Sequence, residues 1–325
     1  LIVGKFYPPH RGHKYLIETG HAQVDELHVI VCQKPHEQPP GSLRAAWLRE
    51  IHPEVKVLLI DDVYDEQDSR VWAENSRRWL GFTPDVVFTS EEYGDRFAHY
   101  LGCQHVQVDK ARAIVPVSGT KVRAAPLRYW EFLEPPVRGW YAKRVCLVGA
   151  ESTGKTTLAQ ALAAHYQTVW VAEYGREYSE RKLADAGGYE FTSEEFTHIA
   201  ATQCEREDEA ARRANKILIC DTDAFATSLW HRRYLHARAP TVEAIAAAHR
   251  CPDLYLLTDV NTPFEQDGTR DGEAIRHWMH ETFVQELTAQ QRPFAFVSGS
   301  QQERLARAIA LLDSLLPADE STSEK

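Results

Sequence analysis

The chain has 325 residues, 43% of them hydrophobic and 26% charged, which suits two packed domains and argues against fibrous or disordered classes. Its formal net charge of −10 argues against a general nucleic-acid binder, which needs a basic face to displace counterions, yet a local basic pocket for a small anion remains open. The six cysteines, at 32, 103, 146, 204, 220 and 251, form no C-x-x-C pair and mostly sit in apolar runs, so they read as reduced thiols of a cytoplasmic protein. No apolar run reaches membrane-spanning length and no signal-peptide pattern occurs. Leu1 already lies inside an apolar run, so the natural chain is expected to begin a few residues upstream.

The first element is a short strand running into GKFYPPHRGH at 4–13 and then a helix. His10 and His13 stand three apart at the helix start, so they project on one side of the turn. No Cys/His cluster supplies the further ligands of a metal site, whereas imidazoles beside helix N–H groups, with Lys5 nearby, suit a phosphate. Next come LHVIVC (27–32), VKVLLID (55–61), DVVFT (85–89) and HVQVD (105–109), which read as buried strands separated by helical or loop stretches. Pro135, Pro136 and Gly139 are expected to break regular structure, so one domain is placed at 1–136, a linker at 137–142 and a second domain at 143–316.

The second half repeats the strand-loop-helix grammar. GAESTGKT at 149–156 fits G-x-x-x-x-G-K-[ST], after the strand RVCLV and before an amphipathic helix, as a phosphate-binding P-loop requires. Gly149 and Gly154 let the backbone wrap phosphates, with Ser152, Thr153 and Thr157 in the same turn; Lys155 is expected to reach the β- and γ-phosphates and Thr156 to meet Mg²⁺. QTVWVAE (167–173), KILICD (216–221), DLYLLTD (253–259) and FAFVSG (294–299) read as strands, ERLARAIALLDSLL (303–316) as a closing helix, and 317–325 as a polar tail. The fold class is therefore α/β, with two doubly wound parallel-sheet domains.

Asp221 ends a strand beside the P-loop and is the favoured metal ligand; Asp223 is left for substrate hydroxyls, although one of the pair could equally cap the next helix. Glu173, at the end of the second strand of this half, resembles the base of deoxynucleoside kinases, with a solvated charge cluster as the alternative. Tyr174 and Tyr178 could stack on a flat ring or pack in the core, and Arg176 lies with them. EQDGTRDGEAIR (265–276) looks like a lid carrying Arg270 to the transferring phosphate, and FVSGS (296–300) could pass beneath an adenine.

G-x-F-x-P-x-H-x-G-H, here with Lys5, Phe6, Tyr7 and Pro8 in the loop, resembles the signature of the nucleotidyltransferase superfamily that includes nicotinamide mononucleotide (NMN) adenylyltransferases. Its companion appears as VSGTKVR at 117–123, where Ser118, Thr120 and Arg123 would hold ATP phosphates. Followed by a P-loop kinase, this arrangement resembles the NadR family, NMN adenylyltransferase joined to ribosylnicotinamide kinase. The resemblance implies ATP and Mg²⁺ as cofactors, nicotinamide riboside and NMN as substrates, and NAD⁺ as product. It implies catalytic roles for His10, His13 and Arg123 in one half and for Lys155, Glu173 and Arg270 in the other. Thr89 and Ser90 would meet adenine and ribose, Trp72 the nicotinamide ring, and Arg44, Asp61 and Asp62 would line that ligand's path. The helix-turn-helix domain of some members is not expected here, so no nucleic-acid or membrane partner is expected, and a homo-oligomer is compatible with the reading. Two alternatives stay open: a sensor with one weak half, and a fusion acting on another substrate.

Overall fold

The computed structural model describes residues 1–65, 67–186, 190–260 and 273–317. They divide into two compact units, Leu1–Trp140 and Tyr141–Lys325.

In the first unit the chain alternates β1 (Ile2–Gly4), α1 (Arg11–His21), β2 (His28–Gln33), α2 (Gly41–Ile51), β3 (Lys56–Asp61), α3 (Ser69–Leu80), β4 (Val86–Thr89), α4 (Gly94–Leu101), β5 (Gln104–Gln107) and α5 (Gly119–Ala124). A 3₁₀ turn (Trp130–Phe132) and α6 (Pro135–Tyr141) close it. β1, β2 and β3 pair in parallel, as do β4 and β5. Leu1 joins the two sets: its amine donates to Val86 O at 2.8 Å and its carbonyl accepts from Phe88 N–H at 2.9 Å. The resulting order is β3-β2-β1-β4-β5, which reverses between β1 and β4.

Side-chain alternation explains why these runs became central strands. Val29 and Val31 pack with Ile2, Phe6, Leu48 and Phe88 on one face of the sheet. Ile30 and Cys32 pack with Val87, Phe97 and Leu101 on the other. A strand buried on both faces must read as a continuous apolar run, which HVIVC does.

The second unit comprises β6 (Lys143–Val148), α7 (Lys155–His165), β7 (Trp170–Val171), α8 (Tyr174–Ala186), α9 (Ser193–Arg213), β8 (Ile217–Asp221), α10 (Ala224–Leu235), α11 (Pro240–Ala248), β9 (Leu254–Thr258), α12 (Glu273–Ala289), β10 (Phe294–Val297) and α13 (Gln301–Asp313). Its parallel sheet has the order β10-β9-β6-β8-β7. Val145 and Leu147 of β6 anchor a core with Leu158, Leu162, Ile219, Leu256 and Leu312.

Two local expectations need correction. The stretch expected as a linker is helical: Pro135 and Pro136 begin α6, where the missing N–H costs nothing because the first turn has no intrahelical acceptor. The strand expected over 167–173 shrinks to Trp170–Val171. It lies at the sheet edge, and the Thr168 side chain replaces the ladder by donating to Ile217 O at 2.6 Å and accepting from Asn215 N–H at 2.9 Å. Among the described residues no helix is long and apolar enough to cross a membrane, and all six cysteines are free.

Candidate functional sites

In an open parallel sheet, ligands bind beyond the carboxyl ends of the strands where the order reverses. In the first unit that crevice lies between the loops after β1 and β4, and a cavity of about 580 Å³ occupies it. It is lined by Lys5, Phe6, Tyr7, His13, Asp62, Trp72, Thr89, Ser90, Ser118, Thr120 and Arg123, which the sequence had marked from separate segments. Arg112 and Glu91 line it as well and were missed. Arg112 lay in an unremarkable loop, with a backbone φ of 53° as its only oddity.

The loop between β1 and α1 is fixed around Tyr7. Arg123 donates to Tyr7 O at 2.6 Å and to Thr120 Oγ1 at 3.1 Å, with its guanidinium 4.8 Å from the centre of the Tyr7 ring. The Tyr7 hydroxyl accepts from Gln38 N–H at 3.0 Å. Gly119 allows this approach, because a Cβ there would stand 3.1 Å from Tyr7 O. Ser118 caps α5, accepting from Lys121 N–H at 3.3 Å.

His10 caps α1 through Nδ1, which accepts from Gly12 N–H at 3.1 Å and so leaves the ring proton on Nε2. Its ring stacks on His13 at 3.8 Å between centroids. Burial pushes the His10 pKa down to about 4, aided by Arg112, and drives His13 well below its usual value, aided by His10 and Arg112. Both rings are therefore neutral donors at neutral pH. His13 lines the cavity and His10 stands behind it, as does buried Pro8.

Several residues expected at the ligand have other work. Arg44 is fully buried; it pairs with Glu37, donates to Lys5 O and lies 4.9 Å from the Tyr7 ring centre. It holds the loop and is not among the residues that line the cavity. Asp61 is exposed and accepts from Gln33 Nε2 at 3.0 Å. Asp62 instead faces the cavity, 3.9 Å from Lys5 and 3.7 Å from Lys34. The Thr89 hydroxyl lies 2.9 Å from His105 Nε2 and 3.3 Å from Glu91 O, so it already has partners within the protein. Trp72 is half-buried, anchored by its Nε1 donating to Asp65 O at 2.9 Å, with a face left on the cavity.

In the second unit β6 ends at the P-loop. Gly149 and Gly154 have φ of 142° and 81°, and Ser152 has φ of 54°; a Cβ on Gly149 would meet Thr258 Oγ1 at 2.3 Å. Lys155 donates to Gly149 O at 3.1 Å and Ala150 O at 2.9 Å, holding its ammonium inside the loop. The Thr153 hydroxyl turns inward, donating to Ala150 O at 2.7 Å, so only its backbone can serve a phosphate. Thr157 is exposed, one position past Thr156. Thr156 Oγ1 donates to Asp221 Oδ2 at 2.5 Å, while Asp221 Oδ1 is buried without a protein partner. A hydroxyl and an orphaned carboxylate oxygen at a P-loop fit a hydrated cation completed by phosphates. Among the described residues no group of three acidic, His or Cys side chains could hold a metal by itself.

For Asp223 the structure gives the helix cap that was the alternative for one of the pair. One oxygen accepts from Ala226 N–H at 2.8 Å and caps α10; the other accepts from Tyr255 OH at 2.6 Å. Each oxygen thus has a protein partner, and Asp223 is buried at the start of α10.

Beside the P-loop a smaller cavity, of about 110 Å³, brings Glu173 and Lys155 together with Glu151, Arg176 and Glu180. Burial raises the Glu173 pKa against the pull of Lys155, and the charge of Asp221 adds to the rise. Of the two readings open for Tyr174 the structure shows packing: its ring is buried beside Arg206, 4.4 Å from the guanidinium, and its hydroxyl meets His198 at 3.1 Å. The aromatic walls are Phe191, Phe196, Trp230 and Tyr234, from α9 and α10 and the segment before α9. Their spacing in sequence resembles ordinary core periodicity, so nothing marked them out. Arg270 and its lid, and most of 265–276, lie outside the described residues.

A family model described as an AAA domain matches residues 144–304. The chain is 32% identical over 295 residues to the trifunctional NAD biosynthesis/regulator protein NadR of Escherichia coli (strain K12), covering 83% of this chain and 71% of that one. The chain belongs to the NadR family. The protein of the same name from Salmonella typhimurium is 30% identical over 344 aligned positions, covering 97% of this chain and 83% of its own length. Two crystal structures share the fold: NadR in complex with NR has a TM-score of 0.81 at 22% identity, covering 99% of this chain and 97% of its own. NadR with NAD and AMP-PNP has a TM-score of 0.79 at 21% identity, covering 98% and 96%.

Proposed function

We propose that this NadR-family chain is a bifunctional enzyme of NAD biosynthesis with one ATP-using site in each unit. The second unit phosphorylates nicotinamide riboside to NMN, and the first transfers the adenylyl group of ATP to NMN, giving NAD⁺ and pyrophosphate. The observation that carries this reading is that each unit of this family member has a strand-loop-helix turn suited to phosphates, Gly149–Thr156 running into α7 and the Tyr7 loop before α1 with Arg123 of α5 clamped on it.

In the second unit, nicotinamide riboside offers a flat cationic ring and a primary hydroxyl. Trp230 and Tyr234 supply aromatic faces for such a ring, and Glu151, Glu173 and Glu180 set three carboxyl groups beside Lys155 and Arg176 in the same cavity. Glu173, with its raised pKa, accepts the proton of the hydroxyl as the γ-phosphate is transferred. Lys155 neutralises charge on that phosphate from inside the loop. Thr156 and Asp221 would hold Mg²⁺, which supplies charge neutralisation at the β- and γ-phosphate oxygens.

In the first unit the nucleophile is a phosphate of NMN, already ionised near neutral pH, so no base is needed. The protein has to align two anions and offset their repulsion. Neutral His13 donates from its ring to the α- and β-phosphates, and Arg123, clamped by Tyr7, meets the departing pyrophosphate. Trp72 offers a face to the nicotinamide ring at the cavity wall.

Incubating the purified chain with nicotinamide riboside, ATP and Mg²⁺ tests the reading. NMN should form first and NAD⁺ after it; phosphorylation of another nucleoside in preference would reject the substrate assignment.

A further inference from the structure

Two ion pairs link the same two loops of the first unit, and one of them lines the cavity. Arg112, in the loop between β5 and α5, donates to Glu91 Oε1 at 3.0 Å, and Lys110 lies 3.4 Å from Glu92 Oε1. Glu91 and Glu92 lie in the loop between β4 and α4. The Arg112 and Glu91 side chains are 43% and 56% exposed, so their pair contributes little and breaks easily.

The loop that presents Arg112 is, by contrast, firmly built. Asp109 accepts from the N–H groups of Ala113, Ile114 and Val115 at 2.8, 3.2 and 3.1 Å, which fixes the backbone around Arg112 in its left-handed turn. A rigid mount with an exchangeable pair at its tip suits a cation awaiting an anion.

The cavity needs that cation. A triphosphate brings several negative charges, and His10 and His13, stacked with 3.8 Å between ring centroids, stand too close to answer them with two positive ones. Lys5 is engaged with Asp62, and two faces of Arg123 are engaged with Tyr7 and Thr120. Arg112 lines the cavity and is held by a carboxylate that lines it too. Resting on the reading of this unit as an ATP-dependent transferase, we propose that Arg112 binds the triphosphate and that Glu91 is its placeholder, displaced by a phosphate oxygen when ATP enters.

A simple strut between the two loops would make loss of either partner harmful in the same direction. A placeholder gives opposite signs, which kinetics can read. The test uses the full chain, NAD⁺ formation from NMN with ATP and NMN each varied, and nicotinamide riboside phosphorylation as an internal control. Arg112→Gln should raise the KM for ATP about tenfold or more, as expected for a lost charge-assisted contact, and Arg112→Lys less. Glu91→Gln should lower the KM for ATP by roughly two- to fivefold, the range set by an exposed pair. In the Arg112→Gln background, Glu91→Gln should change nothing further.

An unchanged or raised KM for ATP in Glu91→Gln would overturn the placeholder role. An unchanged KM in Arg112→Gln, or a change confined to NMN, would overturn the triphosphate contact. If the unaltered chain made no NAD⁺ from NMN and ATP, the transferase reading itself would fall, and this inference with it.

Discussion

His10 and His13 stack face to face, 3.8 Å between ring centroids, with the outer ring on the cavity and the inner ring capping α1. Because both pKa values are depressed, with His10 at about 4, the unfolded chain binds protons that the folded chain refuses. Stability from this pair is therefore complete above the unfolded histidine pKa, near 6.5, and is lost progressively as pH falls toward 4. Urea midpoints measured between pH 7 and 4.5 should fall for the unaltered chain. They should fall less steeply in a His10→Asn variant.

Glu173 gives the opposite sign. Its raised pKa means that activity dependent on its ionised form appears only above the usual carboxylate range. The acid limb of kcat/KM for nicotinamide riboside phosphorylation should titrate above the unperturbed Glu value of 4.5. Glu173→Gln should cut kcat by about a hundredfold to ten-thousandfold, the usual size of a proton-transfer contribution, and remove that limb. NAD⁺ formation from NMN should be untouched.

Gly149 is bound by space as much as by angle. A methyl there meets Thr258 Oγ1 at 2.3 Å and forces φ of 142° on a side chain that does not favour it. Gly149→Ala should cost on the order of 1–3 kcal/mol of local strain and abolish kinase activity. Adding Thr258→Ala removes the hydroxyl but leaves the Thr258 carbonyl at 3.1 Å and the strained angle, so it should not restore turnover. Steady-state kinetics on the two variants would show this.

Asp223 separates a cap from a ligand. Asp223→Asn keeps an acceptor for Ala226 N–H and a partner for Tyr255, so its thermal midpoint should stay near that of the unaltered chain. Asp223→Ala loses both and should cost about 1–2 kcal/mol, typical of a lost N-cap. If the Asn variant kept its stability but lost affinity for nicotinamide riboside, Asp223 would be a substrate residue after all.

The sequence made the cradles legible because they need glycines, a lysine and paired histidines at fixed spacing, and no other residue types supply that geometry. It made the strands legible because Val29–Cys32 and Val145–Val148 are buried on both faces. It did not reveal which polar groups are consumed by the fold. Arg44 and Asp223 have the right chemistry to bind a ligand, yet burial obliges each to satisfy a loop or a helix end first. Nor did it reveal Arg112, Trp230 or Tyr234, since an arginine in a loop and aromatics on a helix acquire meaning only from what faces them. Pro135 and Pro136 misled for a different reason: proline ends a helix from within but starts one from its first turn.

The claim on which the account stands is that the two units run separate reactions, and one variant tests it. Lys155→Ala removes the ammonium that donates to Gly149 O and Ala150 O inside the P-loop. Both reactions should be assayed on this purified, folded variant. The account predicts NAD⁺ from NMN and ATP at the unaltered rate, with phosphorylation of nicotinamide riboside reduced by about a hundredfold or more. Loss of both reactions together, with the fold intact by circular dichroism, would contradict it.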